Sequence, residues 1–366
     1  TEAVQAGALG FSRSRTIGHR ALDGSPVPGT FAPDQELSAI ADAMARAGRG
    51  VFEMIPAGTV GKLERLGGER TTPEAEVELM ADFSRQSGRK VTFTLVQSPD
   101  YAPDTWERLL DMVVSANQTG AQLYPQVSSR PIGLASGLSG YHAFQRRPTY
   151  MKLAHLSLAD RAREMAKPEI KAAIMSETDV LVDQPGSMAN MYQLFQTAAM
   201  FLYPLADPVD YEPDPSEMLG SRAAATGQDV LDLLYDYMLE QDGAAMCALM
   251  GGPNVHDSQE VLRKMLIHSE TVTGLSDAGA HVTLICDATM PTTQLTFWAR
   301  DRHKGERLPL EFLVAKQTAR NADLYGLNDR GRLAVGLRAD INVIDFENLR
   351  VSPPKAFHDL PAGGTR

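Results

Sequence analysis

Cysteine is scarce in this sequence: its 366 residues include only two, Cys247 and Cys286. Two isolated cysteines in apolar surroundings provide neither a disulfide framework nor a cysteine-rich zinc site. The sequence also has no apolar run long enough to span a membrane, and its beginning lacks the charged-then-apolar pattern of a signal peptide. We therefore expect a soluble protein of the reducing cytoplasm without membrane contact.

Positive charge is also in short supply. Lys and Arg number 35 against 46 Asp and Glu, so the formal net charge is -11 and the sequence pI is about 5.3. No run of Lys or Arg interrupts this balance, and an acidic surface repels a phosphate backbone. We therefore do not expect the protein to bind nucleic acid.

The first third of the chain alternates strand and helix patterns. Short β-branched apolar runs are typical of buried strands, and the segments between them carry apolar residues at helical spacing. Strands are predicted at residues 8–11, 51–55, 91–96 and 122–125, with helices at 33–47, from 72 onward, and at 103–116. Strands that alternate with helices in this way favour a parallel sheet with right-handed crossovers, as in a TIM-like (β/α) barrel.

The alternation breaks over residues 128–226, where prolines are scattered and an acidic, proline-rich stretch occurs at 207–215. This excursion is either a lid or binding element over the barrel mouth or a decorated surface. The alternation then resumes with a helix at 229–240, a strand at 245–250, a helix at 258–267, a strand ending at Asp277, and helices at 292–302 and 310–325. From residue 331 the pattern favours strands outside the barrel.

Residues 273–281 read Thr-Gly-Leu-Ser-Asp-Ala-Gly-Ala-His, an apolar strand that breaks into small residues around one carboxylate. At the carboxyl end of a parallel strand, Asp277 can ligate a divalent metal or take a proton. An alternative is that Asp277 caps the following helix and that His281 packs against it. We expect both side chains to line one pocket.

Two motifs carry a family resemblance. Residues 275–281, Leu-Ser-Asp-Ala-Gly-Ala-His, and the Gly331-to-Asp345 segment, whose core is Gly-Arg-Leu-Ala-Val-Gly-Leu-Arg-Ala-Asp, resemble the N-acyl-D-amino-acid deacylase (D-aminoacylase) branch of the amidohydrolase superfamily. The resemblance implies a metal-dependent barrel over residues 1–330 and the start of a small β-sandwich appendage over 331–366. It also implies that a Zn²⁺ ion or another divalent metal activates water to attack an acyl carbonyl, while Asp277 binds the metal and relays a proton.

The sequence departs from that family at the metal ligands. His-x-His, which the family carries on its first barrel strand, does not occur, so we expect the first strands to precede Thr1. The strands at 51–55 and 94–97 carry Glu53 and Gln97 where the family has histidines. Glu53 is a candidate oxygen ligand for the metal; alternatively it is a strand residue that faces a helix or solvent.

An acyl amino acid offers a carboxylate, which a guanidinium grips in bidentate fashion. Arg130 and Arg15 are the candidate arginines, and His281 and His19 are further candidate substrate-binding residues, although His19 could instead brace its loop. We expect a hydrolase that acts on a small N-acyl amino acid or related linear amide, as a monomer or a homo-oligomer. A cyclic-amide hydrolase of the same superfamily and a non-catalytic binding or assembly protein are the alternatives.

Overall fold

The computed structural model describes residues 1–16, 18–21, 24–61, 71–183, 187–251, 258–276, 284–285, 287–361 and 366. The strands in this part of the chain are β1 (Gly10–Ser14), β2 (Val51–Ile55), β3 (Lys90–Thr94), β4 (Leu123–Val127), β5 (Ile132–Gly137), β6 (Leu202–Pro204), β7 (Met246–Gly251) and β8 (Val272–Thr273). The α-helices are α1 (Glu2–Gln5), α2 (Asp34–Ala47), α3 (Pro73–Ser87), α4 (Thr105–Gln118), α5 (Pro148–Leu153), α6 (Leu158–Met165), α7 (Pro168–Ser176), α8 (Met191–Thr197), α9 (Leu219–Thr226), α10 (Val230–Met238), α11 (Glu260–Ile267), α12 (Met290–Thr296), α13 (Leu310–Gln317) and α14 (Ala319–Tyr325).

A five-stranded parallel sheet in the order β1-β2-β3-β4-β8 organises the chain. Helices α2, α3 and α4 connect its strands, which confirms the predicted α/β alternation. Local signals set the helix ends: the Thr72 side chain accepts a hydrogen bond from the Ala75 amide, and α2 and α3 end at Gly48 and Gly88 in the left-handed region. The carboxyl ends of these parallel strands therefore share one edge.

The two faces of the sheet differ because successive strand residues point in opposite directions. Phe52 and Phe93 pack into the large core beneath α2, α3 and α4. On the opposite face, Val51 and Val272 pack with Leu324 of α14. Helix α14 thus covers the face that the crossover helices leave open.

The excursion is a second module with its own sheet, and here the prediction from sequence is wrong in one respect. Strand β7 was expected to join the parallel sheet, but it pairs antiparallel with β5 and β6 in a separate three-stranded sheet. Helices α5 to α10 pack around this sheet. The excursion therefore continues to Gly251, because a short apolar strand reads alike in either kind of sheet.

The strand expected at Ile341–Asp345 is not formed. Within the described residues 327–361 the chain contains no strand, and Ile341 and Val343 are largely exposed. Alternating apolar residues need a partner strand to complete their hydrogen bonds, and the described part of the chain provides none here.

Two buried ion pairs attach the excursion to the parallel sheet. Arg130 Nη1 lies 2.6 Å from Asp287 Oδ1, and Arg302 Nη2 lies 3.4 Å from Glu212 Oε1. All four side chains are at most 1% exposed. Each pair joins residues more than 80 positions apart in sequence, so each acts as a long-range tether between the two modules.

A buried lysine lies beside the last strand. The Lys316 ammonium on α13 donates to His268 O at 3.0 Å and to Thr271 Oγ1 at 2.8 Å, and no carboxylate in the described chain lies within ion-pair distance of it. Burial, and to a smaller extent the charge of Arg320, lowers the pKa of Lys316 to about 7. Between pH 7 and the ordinary lysine pKa, the unfolded chain therefore binds a proton that the folded chain releases.

We expect this difference to make the protein more stable as the pH rises from 7 to 9. Relative to Lys316→Met, the free energy of unfolding of the wild type should gain on the order of 2 kcal/mol over that window. Urea unfolding at several pH values measures the gain, and Lys152→Met at an exposed helix position is the control. Parallel pH profiles for the wild type and Lys316→Met would contradict the expectation.

Candidate functional site

A cavity of about 290 Å³ lies where β4 and β8 end. Its described lining comes from the end of β4, from β8 and the segment that follows it, and from α12, α13 and α14. The polar members are Gln126, Ser129, Thr273, Ser276, Gln294, Gln317, Asn321 and Tyr325, and the apolar ones include Val272, Met290 and Leu324. This is the edge at which parallel α/β folds carry their chemistry.

The backbone just after β8 is tightly constrained. A Cβ at Gly274 would lie 2.3 Å from the side-chain oxygen of Gln126, so any larger residue at this position would have to displace the Gln126 carboxamide from its present place in the cavity. The next residue, Leu275, has a φ of +66°, in the left-handed region that costs an ordinary residue about 1–2 kcal/mol. Strain at this position lies two residues before the predicted catalytic Asp277.

We expect Leu275→Gly to be more stable than Leu275→Ala by about 1 kcal/mol, because glycine accepts a positive φ and alanine does not. The two variants lose the same side chain apart from one methyl group, so the comparison isolates the backbone. At exposed Asp111 within α4, the matched pair should show the opposite order, with alanine more stable than glycine. Urea unfolding of the four variants measures both differences. If alanine were more stable than glycine at position 275 as well as at position 111, the backbone at Leu275 would not be strained.

Two of the predicted site residues, Asp277 and His281, lie outside the described residues. Ser276, which immediately precedes Asp277 in sequence, does line the cavity. The prediction that both side chains share one pocket therefore stays a prediction.

Glu53 lies in the middle of β2, half-buried, on the face of the sheet away from the crossover helices. Its Oε2 accepts a hydrogen bond of 2.6 Å from Ser12 Oγ on the neighbouring strand. Burial raises the pKa of Glu53, and the Ser12 hydrogen bond opposes this only in part. Burial raises the pKa of Tyr325, a cavity residue, and the charge of Glu53 raises it further, although Glu53 is not itself among the described lining of the cavity.

Arg130 is fully buried and pairs with Asp287, as described above. Its Nη2 also donates to Thr289 Oγ1 at 3.1 Å, and its guanidinium lies 4.1 Å from the centre of the Tyr211 ring. In this structure the guanidinium of Arg130 connects the segment after β4 with the segment before α12 and with Tyr211 of the excursion. A role in substrate binding stays a prediction.

Arg15 and His19 lie near the carboxyl end of β1. Arg15 Nε donates to both carboxylate oxygens of Glu76 at 3.2 and 3.1 Å, and Glu76 also accepts the Ala57 amide. His19 is half-buried in the loop, where its amide donates to Thr16 O. Neither residue is among the described lining of the cavity.

Gln97, which the sequence placed at a strand end, stabilises a helix start instead. Its Oε1 accepts the Trp106 amide at 3.0 Å, and its Nε2 donates to the carbonyls of Ser98 and Ala102. All hydrogen-bonding atoms of this buried side chain are engaged with the backbone around the start of α4.

The carboxamides that line the cavity were not among the site residues predicted from the sequence. Gln126 follows the predicted strand at 122–125, so an alternation extended by one residue would have indicated it. Gln294, Gln317 and Asn321 lie on α12, α13 and α14, which follow β8 in the chain, and helical periodicity alone does not mark them as cavity residues.

The fold and the position of the cavity agree with a family comparison. A model described as "Amidohydrolase family" matches residues 1–363, so this chain belongs to the amidohydrolase family.

Particular relatives lie in one branch of that family. The chain is 52% identical over 46 residues to an N-acyl-D-glutamate deacylase of Alcaligenes xylosoxydans xylosoxydans, a stretch that covers 13% of this chain and 9% of the relative. Among solved structures it is similar to N-acyl-D-glutamate deacylase from Bordetella bronchiseptica in complex with zinc and a phosphonate inhibitor. That comparison has 18% identity and a TM-score of 0.47, and covers 95% of this chain and 56% of that one.

A D-aminoacylase structure described by its binuclear metal centre is similar at 14% identity and a TM-score of 0.45, over 92% of this chain and 53% of that one. The chain thus spans about half the length of the solved relatives that it matches. In its described residues, no helix is long and apolar enough to cross a membrane.

Proposed function

We propose that the protein hydrolyses the carbon–nitrogen bond of a linear amide of the N-acyl amino acid type. The observation that carries the proposal is the cavity at the carboxyl ends of β4 and β8, which is bordered by Ser276 immediately before Asp277. Membership of the amidohydrolase family over residues 1–363 supports the reaction class, and the deacylases similar to this chain support the substrate class.

A divalent metal, zinc first of all, belongs to this proposal because the resemblance to metal-dependent amidohydrolases implies one, and the chain belongs to the amidohydrolase family. The described residues by themselves do not fit such a group: they contain no cluster of three His, Cys, Asp or Glu side chains that could hold a metal. Glu53 stands between the hydroxyl residues Ser12 and Thr92 in register, and neither adds an imidazole or a carboxylate. Since Asp277 lies beyond the described residues, we derive no step through a metal.

Amide hydrolysis forms a carbon–oxygen bond from water, breaks the carbon–nitrogen bond and delivers a proton to the leaving nitrogen. A carboxyl with a raised pKa is better suited to the transfer of that proton than an ordinary one. Burial raises the pKa of Glu53 in the described part of the chain, and Ser12 orients its carboxylate. We therefore assign Glu53 a place in the site together with Asp277.

The direct test is an assay of the purified protein, with zinc added, against N-acetyl-D-amino acids, N-acetyl-L-amino acids and a cyclic amide such as dihydrouracil. We expect release of free amino acid from the linear amides and no ring opening. Ring opening alone would indicate the cyclic-amide alternative. No turnover of any amide, with or without zinc, would leave the non-catalytic alternative.

A further inference from the structure

Three carboxamides of the cavity have their NH₂ groups bound to the protein backbone. Gln294 Nε2 donates to Leu313 O at 3.3 Å, and Gln317 Nε2 donates to Pro291 O at 2.7 Å. Asn321 Nδ2 donates to Thr273 O at 3.2 Å. A carbonyl oxygen can only accept, so these contacts fix which end of each carboxamide is turned toward the backbone.

The amide oxygens are consequently left for another partner. Asn321 Oδ1 is buried and accepts no hydrogen bond, and none is recorded to the side-chain oxygens of Gln294 and Gln317 anywhere in the described chain. The Ser129 hydroxyl is not such a partner, because it donates to Met290 O at 2.8 Å. A buried acceptor without a donor costs about 1–3 kcal/mol, which a bound donor would recover.

The charge and size of the cavity limit the kinds of ligand that it can bind. Its described lining contains no Lys, Arg or His that would form an ion pair with a carboxylate, and the oxygens of Gln294, Gln317 and Asn321 would meet a carboxylate oxygen against oxygen. Val272, Met290 and Leu324 provide an apolar wall that suits a short alkyl chain. About 290 Å³ is at the small end of ligand sites, so only one end of a larger molecule fits.

We propose that this cavity binds the nitrogen end of the ligand, taking N–H groups of an amide or of the released amine on the oxygens of Asn321, Gln294 and Gln317. The assignment rests on the proposed amide hydrolysis for its place in the reaction. It implies that the carboxylate of an N-acyl amino acid is held elsewhere. The uncharged carboxamides accept both the amide substrate and the amine product, because each carries N–H donors.

Binding of small probes, measured by isothermal titration calorimetry, tests the inference without turnover. We expect propylammonium and propionamide to bind. Propionate, which lacks N–H donors and carries negative charge, and tetramethylammonium, which is a cation without N–H donors, should not. Equal binding of tetramethylammonium and propylammonium, or binding of propionate, would overturn the proposal.

Variants at Asn321 make the test specific. Asn321→Leu removes the hydrogen-bond acceptor while keeping a side chain of similar size. It should lower the affinity for both propylammonium and propionamide by about 5- to 10-fold. Asn321→Asp should increase the affinity for propylammonium by about 10-fold, since a charged acceptor favours the cation. The affinity for propionamide should not increase. Asn348→Asp at an exposed position is the matched control. Urea unfolding shows whether each variant is folded, and unchanged affinities in folded variants would contradict the assignment.

The outcomes separate this inference from the proposed function. A protein that binds the two nitrogen probes but hydrolyses no amide would refute the reaction and retain the nitrogen site. A protein that hydrolyses linear amides but binds neither probe would retain the reaction and refute the nitrogen site.

Discussion

Asp277→Asn should lower kcat for linear amide hydrolysis by about 10²–10⁴-fold. Asparagine has nearly the same shape as aspartate but cannot take up and release a proton at neutral pH. The residue follows Ser276, which lines the cavity, and in the motif at 275–281 it stands where the resembling family has a metal-binding aspartate. Steady-state kinetics on N-acetyl amino acids would measure the loss.

The form of the loss distinguishes a chemical role from a structural one. We expect kcat to fall with little change in KM, because the lost interaction belongs to the transition state. The unfolding midpoint in urea should stay near that of the wild type. Asp111→Asn, an exposed change of the same chemistry on α4, should leave turnover unchanged. A kcat for Asp277→Asn within threefold of wild type would exclude the proposed role.

The buried pair between Arg130 and Asp287 should give the largest stability effect. Asp287→Ala leaves the guanidinium of Arg130 buried without its carboxylate, and it also removes the acceptor of the Gly133 amide. Breaking a buried ion pair in this way costs about 3–5 kcal/mol. Urea unfolding should show a correspondingly lower midpoint.

Two further variants identify the cause. Arg130→Met combined with Asp287→Leu replaces the pair by apolar side chains and should recover much of the loss, because no charge then remains buried. Asp82→Ala breaks an exposed pair with Arg85 and should have no measurable effect. If the double variant were as unstable as Asp287→Ala, the loss would lie in packing and not in the uncompensated charge.

Much of the parallel sheet could be predicted from local sequence. The β-branched run at 51–55 is a strand with those bounds, and α2 begins one residue after the predicted start at Pro33 and ends at the predicted residue, before Gly48. These elements follow from side-chain periodicity and from caps that lie within a few residues. The family also followed from two local motifs, and the match over residues 1–363 confirms it.

The partners of the polar residues were decided by the tertiary structure. Arg130 meets a carboxylate 157 residues away and Arg15 one 61 residues away, and nothing in their local sequence names Asp287 or Glu76. Both arginines therefore looked available for a substrate carboxylate until their ion pairs were known. The partner of each arginine is set by which carboxylate the fold brings near it.

The same limit applies to the excursion and to the cavity. Strand β7 has the composition of a buried strand, and only its neighbours β5 and β6 decide that it is antiparallel. Asn321 has an ordinary helical context, yet α14 brings it against the end of β8. Sequence alone determined most of the helices and strands of the parallel sheet, and the family, because each depends on residues that lie close together in the chain. The tertiary structure decided the ion pairs, the second sheet and the acceptor-lined cavity, because each is made by residues that meet only after folding.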